Sequence, residues 1–287
     1  MKTSNHLLRR LTAALLAAVL ALSIALPVFA SDDGDTIYIN SVSDLLSLAR
    51  NCTYDQWSVG KTVILQKDLS LEGMLWEPIP SFSGQFKGSG HTISDLTITG
   101  QYSPAGLFGI VEEQGSIESL SVRGIVSVSD SADTTTGGIV GINHGTLINC
   151  QFTGVVTGDS EVGGIVGRNE SEGTIDHSTA RAIVTGKSST GGIAGYNLGA
   201  ITGCTNVGSI NTEYPEASLD TDGFTAKMVD YINNKMAAAA DDATNSVTNV
   251  ATDTGGIAGR SSGMILTSVN TGTIGYEHVG YNVGGIV

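Results

Sequence analysis

Five histidines, three cysteines and a few loop carboxylates are the residues whose types suit catalysis or metal binding. The histidines are His6, His91, His144, His177 and His278. A zinc peptidase needs two of them one helical turn apart with a glutamate beside the first, so that two imidazoles and a general base meet one ion. None is followed by Glu and no two stand four apart, so zinc hydrolysis finds no ligand set. Cleaving a glycosidic bond needs clustered carboxylates, or an acid-bound calcium beside a base, on one face. Asp176-His177 aligns with Ile148-Asn149 and Thr202-Gly203 in neighbouring repeats, so no ladder of acids forms there. Asp130 and Asp133 in one loop, and Asp159 and Glu161 in the next, could approach and hold calcium weakly; solvated turns are the plainer expectation. The glycine-rich phrases lack the Gly-Lys-Ser/Thr ending of a phosphate loop and open no helix. The nonapeptide calcium pattern Gly-Gly-x-Gly-x-Asp is absent too. The sequence therefore assigns no catalytic residue, no cofactor and no metal ligand.

What recurs is a phrase that positions backbone. Gly137-Gly138-Ile139-Val140-Gly141 returns at Gly163, Gly191 and Gly255, starts again at Gly284, and has a weaker forerunner in Gly106-Leu107-Phe108-Gly109. Starts at 106, 137, 163 and 191 lie 31, 26 and 28 residues apart; from 191 to 255 is 64 and from 255 to 284 is 29. A fixed period of this size marks a stacked repeat. Behind each phrase stand aligned columns: Ile117, Leu147, Ile175, Ile201, Ile265; then Leu120, Cys150, Ser178, Cys204, Ser268; then Gly124, Gly154, Ala182, Gly208, Gly272; then Val126, Val156, Val184, Ile210, Ile274. Stacked coils need this, because each side chain packs on its equivalent one rung away. Each unit holds three short β-type runs. The fold expected is all-β: a parallel β-helix with three-strand coils of about 26–29 residues. The paired glycines suit corners where a Cβ would strike the next coil or where φ is positive.

Cys150 and Cys204 then lie two rungs apart, roughly 10 Å, beyond the reach of a disulfide. They are expected to be buried, in a column shared with Ser178 and Ser268. Cys52 falls far from both. An exported chain with no disulfide fits a bacterial surface or an anaerobic habitat.

Residues 1–30 read as a secretory signal. Lys2, Arg9 and Arg10 precede the apolar run Leu11 to Leu26, and Val28-Phe29-Ala30 sets cleavage after Ala30. Removing those three cations takes the net charge from −14 to −17. No other run is long enough to span a bilayer, and the acidic balance argues against nucleic acid. The expected location is secreted or cell surface.

Residues 31–61 read as an N-terminal cap. Ser41 and Asp44 form a capping box before Val42, Leu45, Leu46 and Ala49, which share one helical face. The β-helix is expected over 62–287, with a bend near Ser94-Asp95 and a helical insertion over 212–254. In that insertion Phe224, Met228, Tyr231, Ile232 and Met236 form a stripe, and Asp222 is the expected N-cap of a helix from about 223 to 240. The last copy, Gly284-Gly285-Ile286-Val287, breaks off mid-phrase and leaves no C-terminal cap, so the chain is expected to continue.

The glycine phrases and Phe86-Lys87-Gly88-Ser89-Gly90-His91-Thr92-Ile93 resemble the GLUG motif, which occurs in large exported bacterial surface proteins. These include non-catalytic regions of some IgA-cleaving metallopeptidases. The resemblance runs from about Val63 to Val287, apart from the insertion. It implies a right-handed parallel β-helix, a place at the cell surface and an adhesin-like or stalk role, with His91 structural. The expected partner is a host or cell-surface glycan or protein. The alternatives are a carbohydrate-active β-helix enzyme, or a spacer for a catalytic domain beyond Val287.

Overall fold

The structure is a computed structural model that describes residues 35–54, 56–128, 134–212, 222, 224–242, 252–275 and 283–287. The expected signal segment with its cleavage point, Asp130, Asp133, His278 and the arms of the insertion lie outside the described residues.

Strands in this chain are short and alternate. Thr62–Leu65 buries Val63 and Leu65 and turns Thr62 and Ile64 outward. One strand with one apolar face cannot stand alone, and its partners come from the next repeats. The strands assemble into four parallel sheets of eight, five, six and nine strands, wound as a β-solenoid of about seven turns. The expected columns are true registers: Ile117 pairs with Leu147, Leu147 with Ile175, Ile175 with Ile201, and Ile201 with Ile265. The same column reaches back through Phe86 and Val63 to Ile37. The first rung of the eight-stranded sheet thus lies ahead of residue 62, inside the segment read as a cap.

The first two full coils, 62–82 and 85–111, have the expected three strands, and the later coils add a fourth. The extra one precedes each glycine pair: Thr136–Gly137, Ser160–Gly163, Ser188–Gly191 and Thr252–Gly255. Its residues are small and polar, so it reads as a turn. It forms because Thr136, Val162, Thr190 and Thr254 stack inward on one another. The hydroxyls of Thr136 and Thr190 have no hydrogen-bond partner among the described residues, while Val162 fills the same column with a methyl. Thr190→Val should therefore raise stability by about 1 kcal/mol, since an unpaired buried hydroxyl is removed without loss of volume. A lowered melting midpoint would contradict this.

The interior changes along the axis. Early rungs are filled by Trp76, Phe82, Phe86 and Phe108, all buried, with the Phe82 and Phe108 ring centroids 5.3 Å apart. Later rungs place Val140, Val166, Ala194 and Ala258 under Phe108. In the neighbouring column Phe82 and Val111 give way to Asn143, Asn169 and Asn197. These asparagines are fully buried. The Asn143 amide donates to Asn169 Oδ1 at 2.8 Å and the Asn169 amide to Asn197 Oδ1 at 2.8 Å. Asn197 continues the ladder to Ser261 Oγ at 3.1 Å. A second ladder joins Asn206 to Asn270 at 2.8 Å.

Two helices attach to this frame. Helix α1, Val42–Asn51, starts as expected: Ser41 caps it, accepting from the Asp44 amide, and Leu45 and Leu48 enter the main core. Asp44 in turn accepts from the Asn40 amide at 2.9 Å. Those hydrogen bonds, that from Asn40 foremost, hold its carboxyl below the usual range. Helix α2, Ala226–Asp242, starts later than expected. Thr225 caps it in place of Asp222, its hydroxyl accepting from the Met228 amide at 3.4 Å. Met228 and Ile232 lie buried against Ile125, Val155 and Ile183, with Phe224 and Tyr231 at the edge. The helix thus lays the Phe224 to Ile232 part of its stripe on an outward apolar column of the nine-stranded sheet; the Met236 side chain lies outside what the structure describes. The expected bend is a bulge between Ile93 and Leu96, with Asp95 at φ 59°.

Candidate binding face

The residues singled out for chemistry disperse over this frame. His91 Nδ1 lies 3.2 Å from Asp68 Oδ1, which also accepts from the Thr92 amide at 2.9 Å. That amide bond first, then His91, lowers the Asp68 pKa. His177 pairs with its neighbour Asp176 at 2.8 Å. Asp176 has Ile148 on one side and Thr202 on the other, as the alignment implies. Of the four loop acids, Asp159 pairs with Lys187 at 2.6 Å and Glu161 with Arg168 at 2.7 Å. Among the described residues no three His, Cys, Asp or Glu side chains lie close enough to share a metal ion.

The three thiols are free and buried. Ser178 separates Cys150 from Cys204, its hydroxyl accepting from the Cys150 amide at 3.1 Å, and Ser268 does the same for Cys204 at 3.2 Å. Burial raises Cys150 from 9.0 to about 12, and Cys52 and Cys204 to about 11. Raised thiol values mean that the folded state binds more protons in alkali. The stability they contribute is complete below the unfolded thiol pKa and is lost as pH rises toward the folded values. The melting midpoint should fall steadily from about pH 9 upward, and Cys150→Ser should shallow that fall. An unchanged slope in the variant would contradict the assignment.

The outward columns are where a partner would meet the chain. On the six-stranded sheet one column runs Ile110, Ile142, Arg168, Tyr196, Arg260 on successive rungs. The Arg168 and Arg260 guanidinium carbons lie 5.0 and 5.4 Å from the Tyr196 ring centroid. Arg168 is held by two acids: Nε donates to Glu170 at 2.6 Å and Nη1 to Glu161 at 2.7 Å. Burial pulls its pKa down, but the two carboxylates outweigh burial and leave it raised. Arg260 is exposed and pairs with no carboxylate among the described residues. The glycine phrase supplies the rigid base under this column: Ile139, Ile165, Ile193 and Ile257, its central residues, are all buried. Sequence reasoning missed the column. Its signal was a position three residues beyond each phrase isoleucine, occupied by Ile142, Arg168, Tyr196 and Arg260, a sequence of unlike types.

Fold and repeat define the class first: a parallel β-helix that carries a GLUG repeat. The GLUG motif family matches residues 158–185, one coil with its four strands. Over 155 residues the chain is 32% identical to halomucin of Haloquadratum walsbyi, a match spanning 50% of this chain and 2% of that protein. Over 137 residues it is 28% identical to a provisionally named Gly-rich membrane protein of Evansella cellulosilytica, spanning 34% of this chain and 16% of that one. Among solved structures, a provisionally named immunoglobulin A1 protease from Bacteroides ovatus superposes with a TM-score of 0.54. The superposition covers 87% of this chain and 73% of that one at 18% identity. At that identity the likeness concerns the fold. No helix among the described residues is long and apolar enough to cross a membrane.

Proposed function

We propose that the chain is an exported, non-enzymatic β-helix of the cell surface, which presents its lateral faces for binding or serves as a stiff stalk. The observation that carries this reading is the set of four parallel sheets running through the repeat. They fix every outward column at the strand spacing of ~4.8 Å. A scaffold of that kind suits display of a long, rigid face, as in other solenoids. The match to a protein named for the membrane supports a place at the envelope, and the apolar run ahead of Ala30 supports export. The dispersal of His91, His177, Asp159 and Glu161 into separate pairs supports binding over chemistry. An antibody against the chain should label intact cells without permeabilisation. Labelling that needs lysis would overturn the surface assignment.

A further inference from the structure

We propose that the Arg168–Tyr196–Arg260 column is a subsite for the carboxylate of an acidic polysaccharide. The inference deepens the reading of the chain as a surface binding protein and rests on it. The two arginines flank one tyrosine on adjacent rungs but differ in what they have left to give. Arg168 donates to Glu170 and Glu161, and its charge is spent within the protein. Arg260 is exposed and meets only the Tyr196 ring among the described residues.

The chemistry selects the ligand. A guanidinium fork matches a carboxylate with two parallel hydrogen bonds. Contact with Tyr196 already orders the Arg260 side chain, which reduces the entropy lost on binding. The Tyr196 hydroxyl makes no hydrogen bond among the described residues. The side chains of Glu161 and Glu170 remain about one-fifth exposed and offer acceptors to hydroxyl groups. A sugar acid brings a carboxylate and several hydroxyls together, so it answers both sides of this strip. An acidic peptide brings carboxylates but lacks the array of hydroxyl donors from which Glu161 and Glu170 could accept. Ile142 and Ile110 continue the same column on the next two rungs, an apolar track for the carbon-bearing faces of adjoining sugar rings.

The test measures binding of the purified chain to polygalacturonate and to hyaluronan at low salt, beside carboxyl-reduced polymer and polyglutamate. The wild-type chain should bind at least one uronate polymer. Arg260→Ala should weaken that binding by roughly tenfold or more, the value of a charge-assisted hydrogen-bonding group. Arg260→Lys should restore only part of it, and carboxyl-reduced polymer should bind no better than the alanine variant does. Equal melting midpoints for the variants show that the loss belongs to the site. The proposal is overturned by failure of the wild type to bind either uronate, by an unaffected Arg260→Ala variant, or by equal binding of carboxyl-reduced polymer. Polyglutamate binding as well as the sugars would assign the column to an acidic peptide and equally overturn it. None of these outcomes alters labelling of intact cells, so the site and the surface assignment fail separately.

Discussion

Gly164→Val should leave little soluble, folded protein, or lower stability by more than about 4 kcal/mol, a loss reserved for a clash that a core cannot absorb. A Cβ at 164 would strike the carbonyl oxygen of Gly192 on the next rung and stand 3.0 Å from the Ala180 Cβ across the interior. Neither neighbour can retreat. Gly192 is fixed in the adjoining coil and Ala180 is fully buried. Valine adds two further methyls to that contact. Variant and wild type are compared by chemical-denaturation midpoints. Equal midpoints would contradict the stacked-corner role of the phrase.

Asn169→Leu should cost about 3 kcal/mol or more, although leucine has similar volume and the site is fully buried. Asn169 is the middle of the ladder. Its loss leaves the Asn197 side-chain oxygen without the donor at 2.8 Å and the Asn143 amide without the acceptor at 2.8 Å. It also removes the bond to the Gly173 carbonyl at 3.1 Å. Each buried polar group left unpaired costs about 1–3 kcal/mol, and these losses together with the misfit of a differently shaped side chain outweigh the favourable burial of leucine. Leucine placed one rung before the ladder starts, as Val111→Leu, probes only packing and should cost less. A neutral Asn169→Leu variant would mean that the ladder fills space without holding it.

The glycine phrase was legible as structure because its spacing brought side chains of one class into columns. Ile117 to Ile265 and Val126 to Ile274 could be aligned by eye, and packing demands like over like. The glycines themselves serve only one of the two roles expected of them. The pairs at 137, 163, 191 and 255 avoid contact with adjoining backbone, but none has a positive φ. The left-handed residues sit elsewhere: Glu161, Ser189 and Asp253 stand two residues before a pair, and another corner holds Ser119, Asn149, His177 and Thr267, with Gly203 between the last two. That corner stayed hidden because five unlike residue types carry one conformation.

The fourth strand was hidden for a related reason. Its inward residues are two threonines, a valine and another threonine, which polarity alone assigns to a turn. The asparagine ladder was also missed. Asn143, Asn169 and Asn197 follow their phrases at the same offset, yet asparagine near glycine reads as turn chemistry, and only stacking turns it into an interior residue. The binding column was least legible of all. An outward position is free to vary from Ile142 to Arg168 to Tyr196, so periodicity gives no sign of it. It becomes visible once the registers set those side chains on adjacent rungs.

The most direct test of the central claim, a binding β-helix without chemistry of its own, is an assay for new reducing ends. The purified chain is incubated with uronate polymers in the presence of calcium and followed over hours. The account predicts polymer bound and reducing ends unchanged from the buffer control. Sustained release of sugars that scales with the amount of chain would contradict it.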